Sequence, residues 1–192
     1  MKKYKGKYRI QSSRADFWDY SSNGLYFITI VTKNREHFFG KIQDNKMILS
    51  EIGKLAQKYW HEIPEHFPFV ILHAFVVMPN HIHGIIEIAK NNQSDFDVET
   101  QNFVETQNFA SLQSPKLTSH NKFGPQSRNL ASIIRGYKIG VTKNAKKLDP
   151  DWGWQSRYHD HIIRNDESYQ KIKKYIINNP VKWKNDKFRF NQ

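Results

Sequence analysis

Two strand-like runs separated by only three residues constrain the fold of this chain most. The runs FVILHAFVV at 69–77 and HIHGIIEI at 81–88 are rich in β-branched and aromatic side chains, and Met-Pro-Asn at 78–80 stands between them. A connection this short predicts a tight antiparallel hairpin. Two histidines, His81 and His83, interrupt the second run, which is otherwise almost entirely apolar. A buried strand that carries two imidazoles one residue apart needs an explanation beyond packing.

The rest of the chain alternates between strand-like and helix-like segments. A strand at 25–32 is followed by a polar connection and then by an amphipathic helix at 50–64, with Ser50 as its N-cap. After the hairpin, the periodicity predicts a helix at 127–147, a strand at 153–164 and a helix at 166–179. The order β-α-β-β-α-β plus one helix predicts an α+β, ferredoxin-like fold, with helices on one face of the sheet and an extra C-terminal helix.

Length and charge limit the classes of function. The length of 192 residues suits a single domain, 1–192. The net charge is +12, from 30 Lys and Arg against 18 Asp and Glu, and it favours a polyanionic partner or an anionic membrane surface. No apolar run approaches the roughly 20 residues that span a bilayer, and no secretory signal follows the basic N-terminus. These features predict a cytoplasmic protein. The lack of cysteine excludes disulfides and thiolate metal sites.

Residues 90–126 form a polar segment without periodicity, which predicts a mobile surface insertion in this domain. The peptide VETQNF occurs there twice, at 98–103 and 104–109. The peptide VETQNFASLQ at 104–113 can be encoded by GTA GAG ACG CAA AAT TTT GCG TCT CTA C, a string equal to its own reverse complement. Most peptides allow no such palindrome, because the amino acid fixes the first two bases of most codons. We therefore hypothesise that a palindromic DNA element was inserted in frame, which the gene sequence can test.

The paired histidines suggest a metal site. Residues two apart in a strand share a face, so His81 and His83 project together while Ile82 points to the other side. The alternative interpretation is a pair of buried histidines held by hydrogen bonds. A second pair, His159 and His161, has an aspartate, Asp160, between its members. If this pair faced a metal site, Asp160 would have to face a packed core, so the first pair is the better metal candidate. We expect the second pair at the edge of the site or in contact with phosphate.

The last helix carries a candidate nucleophile. Tyr175 and Asn179 are four residues apart and therefore lie on the same face, one turn from each other. Lys171 and Lys174 lie within a turn of Tyr175, where they could hold a phosphate or favour the phenolate, whose usual pKa of about 10 makes it scarce at neutral pH. A half-buried tyrosine that only packs is the alternative interpretation.

Two motifs in the same order resemble a known family. MPNHIHGII and, much later, WQSRYHDHIIRNDESYQKIKKYIINNPVKW are similar to sequences of the single-tyrosine HUH transposases of the insertion-sequence 200 type, above all the REP-associated tyrosine transposases. The similarity runs from about Leu25 to Trp183, apart from the insertion. The pair of separated motifs makes the resemblance specific, whereas His-Ile-His alone would be a weak signal.

The resemblance implies a chemistry for these residues. In the family, the histidine pair, here His81 and His83, binds a divalent cation such as Mg²⁺ or Mn²⁺. A tyrosine, here Tyr175, attacks single-stranded DNA, forming a 5′-phosphotyrosine link and releasing a 3′-hydroxyl. The third ligand corresponds to Asn179, where the insertion-sequence enzymes have glutamine. The family's substrates are hairpins formed by short palindromes, with GTAG near the hairpin foot in the repeat-associated branch. The back-translated palindrome also begins with GTAG.

The resemblance thus predicts an enzyme of DNA transposition or of palindromic repeat processing, and basic residues would follow the DNA backbone. The helix at 127–147 has an apolar face and a basic side, and the N-terminal arm is also basic. The predicted DNA contacts are Lys171, Lys174, Arg128, Arg135, Lys138 and Arg9. For any one of them, a solvated surface charge is the alternative.

The competing class of function is a basic ferredoxin-like module that binds single-stranded DNA or RNA without cleaving it. The resemblance does not decide whether the protein is a monomer or a homodimer. It also does not decide whether the protein is a mobile transposase or a domesticated enzyme.

Overall fold

The computed structural model describes residues 18–90 and 128–189. Both Arg9 and nearly all of the predicted mobile insertion, residues 91–126, lie outside the described residues. The strands are β1 Gly24–Val31, β2 Gly40–Gln43, β3 Lys46–Leu49, β4 Val70–Val77, β5 His81–Ile88 and β6 His159–Ile163. The helices are α1 Glu51–His61, α2 Ile63–His66, α3 Leu130–Leu148 and α4 Asp166–Asn178, with short 3₁₀ turns at Lys33–Arg35 and Trp183–Asn185.

Four strands form one antiparallel sheet in the order β4-β5-β1-β6. The predicted hairpin is β4 and β5, and β1 lies between the hairpin and β6. This is the strand order of a ferredoxin-like sheet, so the predicted α+β fold is confirmed. The register places Thr29 of β1 opposite His83 on one side and opposite His159 on the other. Directly paired residues share a face of a sheet, and these three side chains therefore form one row.

The two faces of the sheet are covered by different helices. Alternate residues of the central strands, such as Ile28 and Ile82, pack with α1 and α3 in the main hydrophobic core. Gly84 is required on this face, because a Cβ added there would lie 2.2 Å from Cζ2 of Trp60. Helix α4 packs on the opposite face, where Ile176 contacts a smaller apolar cluster that includes Ile85. The fold therefore places the C-terminal helix directly over the face that carries His81 and His83.

Each of the three long helices begins at a side chain that caps it. The side-chain oxygens of Ser50, Asn129 and Asn165 each accept a hydrogen bond from the backbone N–H three residues later, at 3.0, 2.9 and 2.8 Å. Such caps satisfy backbone donors that have no partner inside the helix. The cap at Asn165 starts α4 two residues after β6 ends, which fixes where this helix lies on the sheet.

Two parts of the fold differ from the sequence-based expectation. The polar connection after β1 contains the hairpin β2–β3, closed by Asp44 and Asn45 with φ of 51° and 59°, the backbone of a type I′ turn. The last strand spans only His159–Ile163 instead of 153–164. Arg157 just before it has a left-handed φ of 69°, a conformation that a strand cannot contain. Among the described residues no helix is long and apolar enough to cross a membrane.

Candidate active site

His81 and His83 occupy the face of β5 that α4 covers, as the alternation predicts. Their exposed fractions are 0% and 1%, and their ring centroids lie 4.5 Å apart. Ile82 between them is also fully buried, but on the face that packs with α1 and α3. The structure therefore places the two imidazoles together in a closed environment next to the C-terminal helix.

The side chain of Asn80 fixes the tautomer of His81. Its amide nitrogen donates to the backbone carbonyls of Arg35, at 2.9 Å, and Phe188, at 2.8 Å. The amide oxygen of Asn80 is therefore the atom that faces Nδ1 of His81, at 2.9 Å, and Nδ1–H must donate to it. This leaves a lone pair on Nε2 of His81, which is buried and has no hydrogen-bond partner among the described residues. A buried base without a proton donor is suited to a cation.

His83 connects the sheet to the predicted nucleophile. Its Nδ1 lies 2.8 Å from Oγ1 of Thr29, and its Nε2 lies 3.1 Å from the hydroxyl of Tyr175. When Nδ1–H donates to Thr29, Nε2 accepts from the Tyr175 hydroxyl. The nitrogens that would ligate a metal, Nε2 in both histidines, then belong to the same tautomer and face the same region.

The environment keeps both imidazoles neutral. Burial lowers the pKa of His81 well below its ordinary value of 6.5, and neighbouring His83 and Lys187 lower it further. Burial also lowers the pKa of His83 to about 3, with Lys187 as the second cause. Neutral imidazole is the form that binds a metal ion, so both ligands are ready at neutral pH.

Tyr175 lies at the border of the site and solvent, with 39% of its surface exposed. Burial raises the pKa of the Tyr175 hydroxyl above its ordinary value of 10, and the negative charge of Asp186 acts in the same direction. A hydrogen bond from the side chain of Asn179 opposes this shift by stabilising the phenolate. Tyr175 is thus a phenol at neutral pH unless a positive charge lies close to its oxygen.

Two oxygen-bearing side chains, Asn179 and Asp186, are further candidate ligands. Asn179 is 2% exposed, and no described residue donates to its buried Oδ1. Asp186 follows the 3₁₀ turn at Trp183–Asn185, and its carboxylate and the nitrogens of His81 and His83 all lie within 4.8 Å of one another. An unpartnered imidazole nitrogen, an unpartnered amide oxygen and a carboxylate form a nitrogen and oxygen donor set that fits a divalent cation. Sequence reasoning missed Asp186, which belongs to no periodic element.

The residues after α4 hold Asp186 in place. Trp183 and Phe188 are buried, and their rings lie 6.0 and 4.6 Å from the ring of His81. The backbone N–H of Phe188 donates to Oδ1 of Asp186 at 2.7 Å. The described part of this tail therefore docks on the domain itself and closes the site around His81. The aromatic residues of the tail were the only signal in the sequence, and they did not indicate where the tail would dock.

The predicted DNA contacts lie in separate places. Lys171 and Lys174 are exposed on the helix of Tyr175, and Lys171 forms an ion pair with Glu167 at 2.6 Å. Arg135 is exposed on α3, on the other face of the sheet. Arg128 lies before α3 with its guanidinium 5.5 Å from the ring centroid of Phe69.

Lys138, also on α3, is partly buried and makes hydrogen bonds within the protein. Its ammonium donates to the carbonyls of Gln155, at 3.0 Å, and Arg157, at 3.2 Å. Burial lowers the pKa of this lysine. The second histidine pair, His159 and His161, is exposed on the face of the sheet that carries His83, in line with the expectation of a position at the edge of the site.

Comparisons with known proteins identify similar sequences and a similar fold. No protein-family model matches the chain. An uncharacterised protein of Haemophilus influenzae is 37% identical over 182 residues, which cover 94% of this chain and 93% of that protein. A candidate REP-associated tyrosine transposase of the same organism is 26% identical over 164 residues, covering 85% of this chain and 74% of its own length.

A solved structure shares the fold. It is a REP-associated tyrosine transposase bound to a REP hairpin, with a TM-score of 0.53, 17% identity and coverage of 91% of this chain and 74% of its own. At this identity the match shows the fold alone. The chain therefore belongs to one family with the 37% identical Haemophilus influenzae protein, and its predicted resemblance to the REP-associated tyrosine transposases is confirmed.

Proposed function

We propose that this protein is a metal-dependent endonuclease and strand transferase that acts on single-stranded DNA at hairpins or palindromes, through a 5′-phosphotyrosine intermediate on Tyr175. The observation that carries the proposal is the 3.1 Å contact between the Tyr175 hydroxyl and Nε2 of His83, inside a cluster of buried nitrogen and oxygen acceptors. The relative that was solved with a REP hairpin supports hairpin DNA as the substrate.

The residues that would hold the cation are His81, His83 and Asn179, together with Asp186. A Mg²⁺ or Mn²⁺ ion bound there would supply positive charge that polarises the scissile phosphate and stabilises the phenolate of Tyr175. Nε2 of His83 has one lone pair, which can serve either a cation or the Tyr175 hydroxyl. If that nitrogen held a cation, the Tyr175 hydroxyl would lose this acceptor, and the side chain of Asn179 would remain its hydrogen-bond donor.

The reaction then follows from the position of Tyr175. Its oxygen attacks the scissile phosphorus, a bond between phosphorus and the tyrosine oxygen forms, and the bond from phosphorus to the 3′ oxygen breaks. The phenolic proton is the net source of the proton on the released 3′-hydroxyl. One phosphodiester replaces another, so the reverse reaction rejoins a strand without ATP. Such chemistry serves DNA transposition or the processing of repeated palindromes, and we expect the protein to act in the cytoplasm.

The direct test is adduct formation on hairpin oligonucleotides with Mn²⁺, read by denaturing gel. We expect a covalent product from the wild type and none from Tyr175→Phe. The matched control is Tyr169→Phe, which removes a hydroxyl from the same helix where it contacts Nδ1 of His73 at 3.2 Å. This control should retain the adduct. An adduct of unchanged yield from Tyr175→Phe would refute the assignment of the nucleophile.

A second test separates catalysis from binding. His81→Ala and His83→Ala should each abolish the adduct and leave most of the hairpin affinity, because the predicted contacts to the phosphate backbone do not include these histidines. A wild-type protein that binds hairpins tightly and forms no adduct with any divalent cation would instead support the competing class, a DNA or RNA binding module without catalytic activity.

A further inference from the structure

A cleft of about 260 Å³ lies beside the histidine pair. Its walls include Thr29, Arg35, Arg157, Tyr158, His159 and Phe188. The hydroxyl of Thr29 contacts Nδ1 of His83 at 2.8 Å, so the cleft is separated from a candidate metal ligand by a single side chain. The volume is close to the lower end of pockets that take small ligands, roughly 300–1,000 Å³, and it suits a single nucleotide rather than a duplex.

The lining of the cleft has the chemistry of a nucleotide site. Arg35 and Arg157 supply guanidinium groups, which bind phosphate by charge-assisted hydrogen bonds. Tyr158 and His159 supply flat rings on which a base can stack. The guanidinium of Arg35 also lies 5.7 Å from the ring centroid of Phe188, which is buried against His81.

Both arginines have an unfavourable backbone. Their φ values are 58° for Arg35 and 69° for Arg157, in the left-handed region that favours glycine. Holding a non-glycine residue in such a conformation costs on the order of 1–3 kcal/mol of free energy. The conformation persists only where contacts with the surrounding structure enforce it, which often occurs at functional sites. Two non-glycine residues of this kind line the same cleft, and both are arginines.

Each strained arginine is held at its own carbonyl by another side chain. Asn80, which is fully buried, donates to the carbonyl of Arg35 at 2.9 Å. Lys138 donates to the carbonyl of Arg157 at 3.2 Å. Asn80 also fixes the tautomer of His81 through its amide oxygen. Asn80 therefore positions both the Arg35 wall of the cleft and the candidate metal ligand His81.

We propose that this cleft binds one unpaired nucleotide of the DNA strand next to the cleaved phosphodiester. Arg35 and Arg157 contact its phosphate, and Tyr158 and His159 contact its base. This proposal rests on the proposed function. It also gives the ammonium of Lys138 a supporting role, because this group donates to the carbonyl of Arg157.

The test is abasic scanning without metal. Tyr175→Phe protein, which binds but does not cleave, is titrated with hairpin oligonucleotides in which each unpaired nucleotide beside the stem is made abasic in turn. We expect one position at which the abasic site weakens binding about tenfold, since a stacked base contributes strongly to affinity. In a protein that also carries Arg157→Gly, binding should be weaker at every position and the sensitive position should disappear.

Glycine is chosen because it accepts the left-handed backbone, so the variant folds without added strain. Lys54→Ala is the control for charge, because Lys54 is exposed on α1 and pairs with Glu51. Wild-type-like binding and an unchanged abasic pattern in Arg157→Gly would overturn the proposal, as would equal affinity for all abasic oligonucleotides. Neither result depends on cleavage, so a failure of the proposed function would show separately as a missing adduct.

An independent observation concerns the DNA that the chain recognises. The palindrome over 104–113 requires each first codon base in the first half of the peptide to pair with a first codon base in the second half. The nested pairs are Val104 with Gln113, Glu105 with Leu112, Thr106 with Ser111, Gln107 with Ala110 and Asn108 with Phe109. All of these pairs are complementary, although first bases are largely fixed by the amino acid. A history as translated palindromic DNA explains this better than selection on the peptide.

The structure shows why the domain tolerates an insertion at this point. Lys90 and Arg128, on either side of it, have their charged groups 5.6 and 5.5 Å from the ring centroid of Phe69. The backbone N–H of Leu130 donates to the carbonyl of Tyr20 at 3.1 Å. The two ends of the segment therefore meet on one aromatic ring, and the described domain closes without the residues between them.

We infer that the hairpin formed by one strand of this palindrome, GTAGAGACGCAAAATTTTGCGTCTCTAC, is a substrate of the protein that its own gene encodes. This inference also rests on the proposed function. The first requirement is that codons 104–113 in the gene contain the inverted repeat, and a coding sequence without it would overturn the inference.

The second requirement is preferential binding. Tyr175→Phe protein should bind this hairpin at least tenfold more tightly than a control hairpin of the same base composition, stem length and loop length but different base order. Equal affinity for the two hairpins would overturn the inference. Adduct formation by the wild type on the control hairpin but not on the palindrome would also overturn the inference. That result would leave the proposed function intact.

Discussion

The two faces of the sheet come from the same strands and differ in the polar groups that they bury. The face under α1 and α3 buries Ile28, Ile82 and their apolar neighbours in a continuous core. The face under α4 has a smaller apolar cluster around Ile85 and Ile176 and also buries His81 and His83. A buried polar atom without a partner costs about 1–3 kcal/mol, so the second face is not the arrangement that stability alone would favour. Such local conflict is expected where residues serve function.

The kind of unpartnered atom also differs between the faces. On the apolar side, the indole N–H groups of Trp60 and Trp152 are donors that find no acceptor in the described ranges. On the α4 side, the atoms without partners are acceptors, Nε2 of His81 and Oδ1 of Asn179. A cation can be bound by acceptors and not by N–H donors. The apolar face supplies the main core, and the acceptors on the α4 face are the kind of atom that the proposed cation site requires.

The largest stability effect should come from the apolar face. Ile82→Ala should lower the free energy of unfolding by about 2–5 kcal/mol, because it removes a fully buried side chain and leaves a cavity. Denaturant unfolding with EDTA present measures this. The control is Ile139→Ala on α3, a residue that is 61% exposed and should change stability little. Similar losses in the two variants would contradict the assignment of Ile82 to the core.

An intermediate effect should come from acidifying the α4 face. The folded pKa of His83 is about 3 and that of His81 is also lowered, whereas unfolded histidines titrate near 6.5. Below pH 6.5 the unfolded state therefore binds protons that the folded state does not, and stability is lost as pH falls towards 3. Between pH 6.5 and 5 we expect a loss of up to about 1.4 kcal/mol per pH unit for each histidine in EDTA.

The double variant His81→Gln/His83→Gln provides the comparison for this pH dependence. Its unfolding free energy, measured by denaturant titration at several pH values, should vary much less over the same interval. Carboxylates titrate mainly at lower pH and are common to both proteins. Parallel pH profiles for the wild type and the double variant would show that the histidines are not buried and neutral.

The smallest stability effect should come from replacing one histidine by an apolar residue. His81→Leu should lower the free energy of unfolding by about 1–2 kcal/mol without metal, because the removal of an unpartnered acceptor partly offsets the loss of the hydrogen bond to Oδ1 of buried Asn80. The same variant should lose Mn²⁺ binding, measured by isothermal titration calorimetry. Retention of wild-type Mn²⁺ affinity would exclude His81 as a ligand.

The comparison of faces also shows what could be predicted from the sequence. Strand periodicity of two was sufficient to separate Ile82 from His81 and His83, and the helical spacing was sufficient to place Tyr175 beside Asn179. The short connection at 78–80 predicted the hairpin. These features are local. Each strand or helix buries one face, so the spacing of apolar and polar residues along the chain indicates which residues share that face.

Other features depend on contacts between distant residues. Asp186 reaches the site because Trp183 and Phe188 dock against His81, which no local pattern reveals. The β2–β3 hairpin was missed because its short strands carry lysines and only partly buried apolar residues, although Asp44-Asn45 is a recognisable turn signal. The role of Lys138 inside the fold was also missed, since a lysine on the basic side of a helix gives no sign of the carbonyls it contacts.

The central claim is that the α4 face holds Tyr175 as a nucleophile, and mapping the covalent adduct tests it most directly. Wild-type protein is incubated with a hairpin oligonucleotide and Mn²⁺, digested with nuclease and trypsin, and analysed by mass spectrometry. Trypsin separates the two tyrosines of α4, because Tyr169 lies in the peptide 165–171 and Tyr175 in the peptide 175–182. We predict a nucleotide linked to the peptide 175–182. A nucleotide on the peptide 165–171, or no modified peptide in a reaction that cleaves DNA, would contradict the proposed mechanism.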